Sequence, residues 1–264
     1  MPVYNKVQGA WRELDKAYDK VQGVWRETDK IYDKVQGVWR ECYSSGIPLS
    51  NVPIGSYVNV VEPNRGVRRY LVLSHNYSSS GRVLILRERT VENMYWRDNP
   101  YSTPLTYENS SLIHYNLKSG GELYNSLFVG SNIQGYLQPV SIRTTATDRQ
   151  GEPGSDRVYC NTIAFILSAS ELFQEDRSDD GVWLPYFSSN SSRITYNDAG
   201  AQVRWWTRTA PYADFMVYVR DWDGGKTSMD GGKNMAWVRP ATTLPPNLLV
   251  SSSPVANGGY DILG

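Results

Sequence analysis

Three near-identical copies of a 14-residue unit fill residues 4–45: YNKVQGAWRELDKA, YDKVQGVWRETDKI and YDKVQGVWRECYSS. A tandem repeat constrains a fold strongly, because every unit must bury its apolar groups in the same way. Two structures fit this one. In the first, Gln-Gly serves as a two-residue hairpin turn, much as Asn-Gly does. With Gln22-Gly23 at the turn, Val21 faces Val24, Lys20 faces Trp25 and Asp19 faces Arg26. A further turn at Asp29-Lys30 pairs Thr28 with Ile31 and Glu27 with Tyr32, which extends the hairpins into a meander. In the second structure, Tyr4, Val7, Trp11, Leu14 and their successors to Trp39 form a heptad seam, spaced alternately three and four apart. Against a coiled coil stand Gly9, Gly23 and Gly37, each costing about 1 kcal/mol inside a helix. The hairpins give those glycines a use, so β-hairpins are the predicted form and a coiled coil is the alternative. In either form Trp11, Trp25, Trp39, Tyr18 and Tyr32 are the candidates for docking or self-association into a homo-oligomer, a trimer being one such state.

Gly46, Pro48 and Pro53 predict a linker over 46–53 without regular structure. A globular domain is expected over 54–250, followed by an extended tail at 251–264. Within the domain, 56–61, 67–74 and 83–87 read as strands, with Asn64-Arg65-Gly66 as a turn. Ser110 and Ser111 can cap a short helix over 112–117, and 122–127 reads as a second one. The Thr-, Gly- and Pro-rich segment 142–156 predicts a long surface loop. A strand over 157–167 and a short helix from Ser168 follow. Asp176 to Gly181 reads as an acidic turn.

The stretch RWWTRTAPYADFMVYVRDWDGGKTSMDGGKNMAWVRPATTL covers residues 204–244. Trp205 and Trp206 are adjacent, so on a strand they point to opposite faces. Phe215 to Arg220 is rich in β-branched and aromatic residues and reads as a strand. Asp223-Gly224-Gly225 supplies the backbone freedom of a tight turn, and Asp230-Gly231-Gly232 a second one. Met235 to Val238 reads as the returning strand, ended at Arg239-Pro240 because Pro lacks an N–H.

WWTRTAP followed by VRPATTL resembles the WWLRSP and GVRPAL signatures of a domain family of gut bacteria and their phages. That family is similar to C-type lectins and to the formylglycine-generating sulfatase activators. Tyr107 to Ser111 resembles its YxNS segment, and Phe165 to Glu171 its FLLSxxE segment. The resemblance covers roughly residues 50–245. It implies an α+β, C-type-lectin-like domain with mixed antiparallel sheets and a few short helices, preceded here by the repeat segment. The sulfatase activators use a cysteine pair near the C-terminal end of the domain. The two cysteines here are Cys42 and Cys160, and none follows Cys160, so that activity is not implied. They read as two buried free thiols. Glu62-Pro63-Asn64 matches the calcium tripeptide of mannose-type lectins, but it tops a hairpin and no Trp-Asn-Asp follows. The 14-residue repeats resemble segments of bacteriophage structural proteins.

Basic and acidic residues number 27 each, which leaves no electrostatic footprint for nucleic acid. No apolar run approaches a membrane span, and no secretory leader pattern opens the sequence. The chemistry of an enzyme is not visible either. His75 and His114 are the two histidines, and there is no nucleophile elbow, metalloprotease helix or phosphate loop. Neither a cofactor nor a metal is expected. Aromatic content is instead weighted to 19 Tyr and 9 Trp, residues suited to binding and assembly surfaces. The expectation is a virion protein on the particle's exterior, partnered by itself, by other virion proteins and by a host cell-surface glycan. A purely structural decoration protein and a bacterial cell-surface carbohydrate-binding protein are the alternatives. The candidate ligand residues are Trp222 with Asp221 and Asp223, Tyr212 and Trp206: aromatic rings to stack on a sugar, carboxylates to accept from its hydroxyls. Trp222 leads, since a turn between acidic residues seldom enters a core.

Overall fold

The computed structural model describes residues 46–96, 112–147, 153–174, 181–210, 215–231 and 233–263, the single residues Tyr107 and Ser110, and the backbone of six strands between residues 4 and 44. Those six strands are β1 (Tyr4–Val7), β2 (Ala10–Glu13), β3 (Tyr18–Val21), β4 (Val24–Glu27), β5 (Lys30–Val35) and β6 (Val38–Ser44). They pair as three antiparallel hairpins, one per repeat. Val21 faces Val24, Lys20 faces Trp25 and Asp19 faces Arg26, which is the Gln-Gly register read from the sequence. Lys6 faces Trp11 and Lys34 faces Trp39 in the other two. The coiled-coil alternative is excluded. The meander is corrected: among the described residues each hairpin is its own two-stranded sheet, and none of the pairings joins β4 to β5. Lys30, expected in a turn, is paired with Ser44 inside a strand. Thr28-Asp29-Lys30 also lacks the glycine that serves every Gln-Gly turn.

The expected linker is part of the fold. β7 (Ile47–Pro48) pairs antiparallel with Leu249–Val250, and Leu49 and Val52 are fully buried. Pro48 is tolerated because the strand is two residues long and lies at an edge. β8 (Tyr57–Glu62), β9 (Gly66–Ser74) and β10 (Val83–Arg87) follow as a meander, close to the predicted spans. Asn64 at φ 60 and Gly66 at φ 71 make the turn between the first two. β10 is buried along its whole length, the apolar run Val83–Leu86 by its hydropathy and Arg87 through its pair with Glu62.

β11 (Asn93–Tyr95) leads to the helical region. Leu112–Leu117 is a π-helical turn, with the Lys118 amide donating to Ile113 at 2.8 Å. Ser110 caps it, its hydroxyl accepting from the Ile113 amide at 3.3 Å. α1 (Glu122–Phe128) buries Leu123 and Leu127, which lie four apart on one face. β12 (Val140–Thr147) and β13 (Pro153–Thr162) then form a long hairpin. This overturns the surface loop expected over 142–156. Ile142, Thr144, Thr145, Thr147, Val158 and Tyr159 suit strands, a signal obscured by the Gly and Pro between the two runs.

β14 (Ala164–Phe165) precedes α2 (Ala169–Leu172), which opens on a capping box: the Ser168 hydroxyl accepts from the Glu171 amide, and the Glu171 carboxylate accepts from the Ser168 amide. Further on come β15 (Thr195–Tyr196), β16 (Gln202–Val203), β17 (Trp205–Trp206), β18 (Phe215–Val219), β19 (Lys226–Asp230), β20 (Met235–Trp237), β21 (Ala241–Leu244), β22 (Leu249–Val250) and β23 (Gly259–Asp261). The strand that returns on β18 is β19, not the predicted 235–238. β20 instead runs parallel to β17 and antiparallel to β11.

Two larger sheets result. One has six strands in the order β14-β21-β10-β9-β8-β23, the other five in the order β11-β20-β17-β18-β19. Pro240 separates them: the strand before it lies in the second sheet and the strand after it in the first. The architecture is β-rich, with mixed sheets and a few short helices. The C-terminal tail is not a free extension. β23 adds to the sheet edge parallel to β8, held by Asn59, Asn257 and Asp261 side chains bonded to one another. Among the described residues no helix is long and apolar enough to cross a membrane.

Two arginine–glutamate–tyrosine networks cross the core. Arg208 meets both oxygens of Glu171 at 2.8 Å, and the Tyr77 hydroxyl donates to the same carboxylate at 2.7 Å. Arg87 meets both oxygens of Glu62 at 2.7 and 3.0 Å, and the Tyr70 hydroxyl donates to Glu62 at 2.8 Å. Burial, followed by the neighbouring carboxylate, pushes both tyrosine hydroxyls far above their ordinary range, so they remain donors.

Candidate functional site

The turn between β18 and β19 is built from six residues, Arg220 to Gly225. It closes with the Arg220 amide donating to Gly225 at 2.8 Å and the Gly224 amide donating to Arg220 at 3.2 Å. The Asp223 carboxylate accepts from the Gly225 amide at 2.9 Å, a local hydrogen bond typical of Asp in turns. Its other oxygen meets the Arg220 guanidinium at 2.5 Å. Gly224 sits at φ 67, and a Cβ there would collide with the carbonyl oxygen of Asn190. The glycine therefore serves two needs, a left-handed backbone and close approach to a neighbouring loop. Of Asp223-Gly224-Gly225, only Gly224 takes the positive φ expected.

Arg193 fixes the turn from below. Its guanidinium donates to Gly224 at 3.0 Å, to Leu172 at 3.0 Å and to Phe187 at 2.6 Å, and its ring-facing side lies 4.4 Å from the Phe173 centroid. Gln202 of β16 donates to the Asp221 carbonyl. On this seated turn Trp222 is 66% exposed, with the Arg220 guanidinium 5.3 Å from its ring centroid. One oxygen of Asp221 is buried without a hydrogen-bond partner. The turn thus combines an open indole, an arginine against it and two carboxylates. It can stack on an apolar sugar face and accept or donate hydrogen bonds beside it.

The structure brings together Trp222, Asp221 and Asp223 and separates Trp206 from them. Trp206 is fully buried; its Nε1 donates to Met94 at 2.8 Å and its ring meets Tyr218 edge-on at 6.2 Å. Its assignment to a ligand surface is corrected: β17 lies between β20 and β18, and both adjacent tryptophans are covered. Tyr212 lies outside the described residues, as do the 176–180 part of the acidic turn and the side chains of Trp11, Trp25, Trp39, Tyr18 and Tyr32. Arg220, Arg193 and Gln202, which shape the turn, carry no local sequence signal that marks them.

The remaining motif residues are structural. Glu62 of the calcium-like tripeptide is the buried partner of Arg87. His75 bonds the Val52 carbonyl at 2.8 Å, and Cys160 is buried in the core. Among the described residues no group of three or more His, Cys, Asp or Glu is arranged to hold a metal. The Tyr107 hydroxyl accepts from the Ile166 amide at 3.0 Å, Glu171 binds Arg208, and Arg239 donates to the Arg87 carbonyl at 2.9 Å. The segments that carry the family resemblance are therefore tied to one another in the core.

Compared with known proteins, the chain matches neither a curated protein nor a solved structure. A family model described as "Domain of unknown function (DUF6273)" matches residues 80–246, which include Glu171, Arg208, the Trp222 turn and Arg239. That match spans more than half of the 264 residues, and the chain belongs to the DUF6273 family.

Proposed function

We propose that this protein is a bacteriophage virion component, exposed on the particle, whose C-type-lectin-like domain binds a host cell-surface glycan through the Asp221-Trp222-Asp223 turn. The reading is of a binding protein and not an enzyme. The observation that carries it is Trp222: a large aromatic side chain left two-thirds exposed on a turn that Arg193, Asn190 and Gln202 hold in place. An exposed indole offers a flat apolar face to a sugar ring, and fixed geometry lowers the entropy lost on binding. The three N-terminal hairpins fit docking onto other virion proteins or onto further copies of the chain. Their outer strand edges are ready for pairing, since each sheet has only two strands.

A glycan array probed with the full chain tests the reading, with Trp222→Ala beside it. Binding to a subset of glycans is expected, and the variant should lose it while keeping its melting temperature. Normal glycan binding by Trp222→Ala would place the site elsewhere. A chain starting at residue 46 should bind as a monomer and lose avidity, which sedimentation reads directly.

A further inference from the structure

A groove of about 440 Å³ opens where β9, the end of β10 and the 197–201 turn meet. Its lining has four arginines, Arg68, Arg69, Arg87 and Arg89, and two carboxylates, Glu88 and Asp198. The four cations differ in what they already hold. Arg69 is occupied: it forks onto both oxygens of Glu88, donates to Asn257 at 2.9 Å, and lies 4.5 Å from the Tyr57 ring centroid. Arg87 is occupied by Glu62 and by Asp198, the latter at 3.0 Å through two nitrogens.

Arg68 and Arg89 are less fully engaged. Arg68 donates one bond, to Val67 at 3.2 Å, its Nε is buried without a hydrogen bond, and that nitrogen lies 4.0 Å from Asp198. Arg89 donates one long bond, 3.4 Å, to the Asp198 carbonyl. Each guanidinium has five donors, so most of theirs remain available. Asp198 is shared among Arg87, Arg65 and Arg68, and it stays ionised. Burial works to raise its carboxyl, but the Arg87 hydrogen bonds and the nearby arginine charges outweigh burial and hold it below the usual carboxylate range. Behind the lining, buried Arg239 donates to the Arg87 carbonyl and adds a further cation. Burial pushes it down to about 10, so it stays charged at neutral pH.

We propose that this groove binds a phosphorylated saccharide, its phosphate forked by Arg68 and Arg89. Two arginines with donors to spare suit a phosphate, which carries close to two charges at neutral pH. The planar guanidinium fork matches phosphate oxygens in pairs. The Glu88 and Asp198 oxygens at the rim suit sugar hydroxyls, which donate. The volume falls within the range of small-molecule sites, about 300–1,000 Å³. This site is separate from the Trp222 turn and does not depend on that reading.

Isothermal titration of the full chain with glucose 1-phosphate, inorganic phosphate, glucuronate and glucose tests it. Glucose 1-phosphate should bind most tightly, glucose should not bind, and added salt should weaken the interaction. Arg68→Gln and Arg89→Gln should each weaken it about tenfold, as loss of a charge-assisted bond does, and the double variant should abolish it. Both side chains reach solvent, so melting temperatures should hold. Trp222→Ala should bind as the parent does, which separates this site from the glycan turn. Inorganic phosphate binding as tightly as glucose 1-phosphate would overturn the saccharide assignment, and tighter binding of glucuronate would overturn the phosphate. Unchanged affinity in the double variant would overturn the site itself.

Discussion

The two buried arginine–glutamate–tyrosine networks contain the same three side-chain types and end in different places. In one, Arg208 and Glu171 are 1% and 2% exposed, and Arg208 also donates to main-chain carbonyls of Arg143 and Ile166. In the other, Arg87 and Glu62 are just as buried, but Arg87 extends to Asp198, whose side chain is 28% exposed. The first network ties α2 and β12 to the segment that follows β17. The second carries charge from the core out to the groove. Desolvating two ions costs several kcal/mol each, so neither network is a plain gain in stability. What differs is what the cost secures: a fixed core in one case, and in the other a fixed carboxylate among the groove's arginines.

Removing one partner of a closed buried pair should have the largest effect. Glu171→Ala takes from Arg208 the carboxylate it forks onto, strips Tyr77 of its acceptor and deletes half of the capping box. A loss of about 4 kcal/mol is expected, within the range for a broken buried pair. In a domain of this size that is a melting-temperature drop of roughly 10 °C. Glu62→Ala should cost less, about 3 kcal/mol, because Asp198 still answers Arg87. Chemical denaturation of both variants reads the difference. If Glu62→Ala proves the more damaging, the contrast between a closed and an open network is wrong.

That contrast was hidden in the sequence. Arg87 and Asp198 are 111 positions apart, and Arg208 and Glu171 are 37 apart, so no local pattern joins them. The readable parts are those whose pairing is local. The Gln-Gly register of the hairpins, β8 to β10 and the two-leucine face of α1 follow from turn residues and periodicity within a few positions. The unreadable parts are long-range. β23 joins β8 across nearly the whole chain, and β20 joins β17 through a single parallel pair. The same division applies to the site. Trp222 was legible because two acids and two glycines flank it. Trp206 was misread because alternation gives each of two adjacent tryptophans its own face, and a central strand has both faces covered. The segments resembling the lectin-like family proved to be core contacts, so they speak to the fold and leave the surface to be read separately.

Asp198→Asn sharpens the comparison at its open end. The substitution keeps the shape and removes the charge that Arg87, Arg65 and Arg68 face. At neutral pH the loss should be at most about 1 kcal/mol, since the group is partly solvated and Glu62 still holds Arg87. The pH dependence carries the sharper signature. The native Asp198 carboxyl is held below its ordinary value, so its contribution is complete above about pH 4, near the unfolded value, and is lost as pH falls through the native one. Urea midpoints followed from pH 5 down to pH 2 should therefore fall less steeply in Asp198→Asn than in the parent. Parallel curves would show that Asp198 is not coupled to the buried pair.

The smallest effect is expected where side chain and core are least connected. Trp222→Ala removes an indole that lies against Arg220, a residue also held by Asp223. The turn keeps its other supports: Arg193 on Gly224, Asp223 on the Gly225 amide and Gln202 on the Asp221 carbonyl. An exposed cation–π contact is worth about 0.5–1 kcal/mol, which bounds the loss of stability. Gly224→Ala at the same turn should behave in the opposite way. It needs a strained backbone and displaces Asn190, so it should cost more than 1 kcal/mol and disturb ligand binding through the turn's shape. Denaturation midpoints for the two variants, measured together, decide whether the turn is a rigid support carrying a replaceable ring. If Trp222→Ala destabilises more than Gly224→Ala, the indole is part of the packing and the binding face must be sought on another loop.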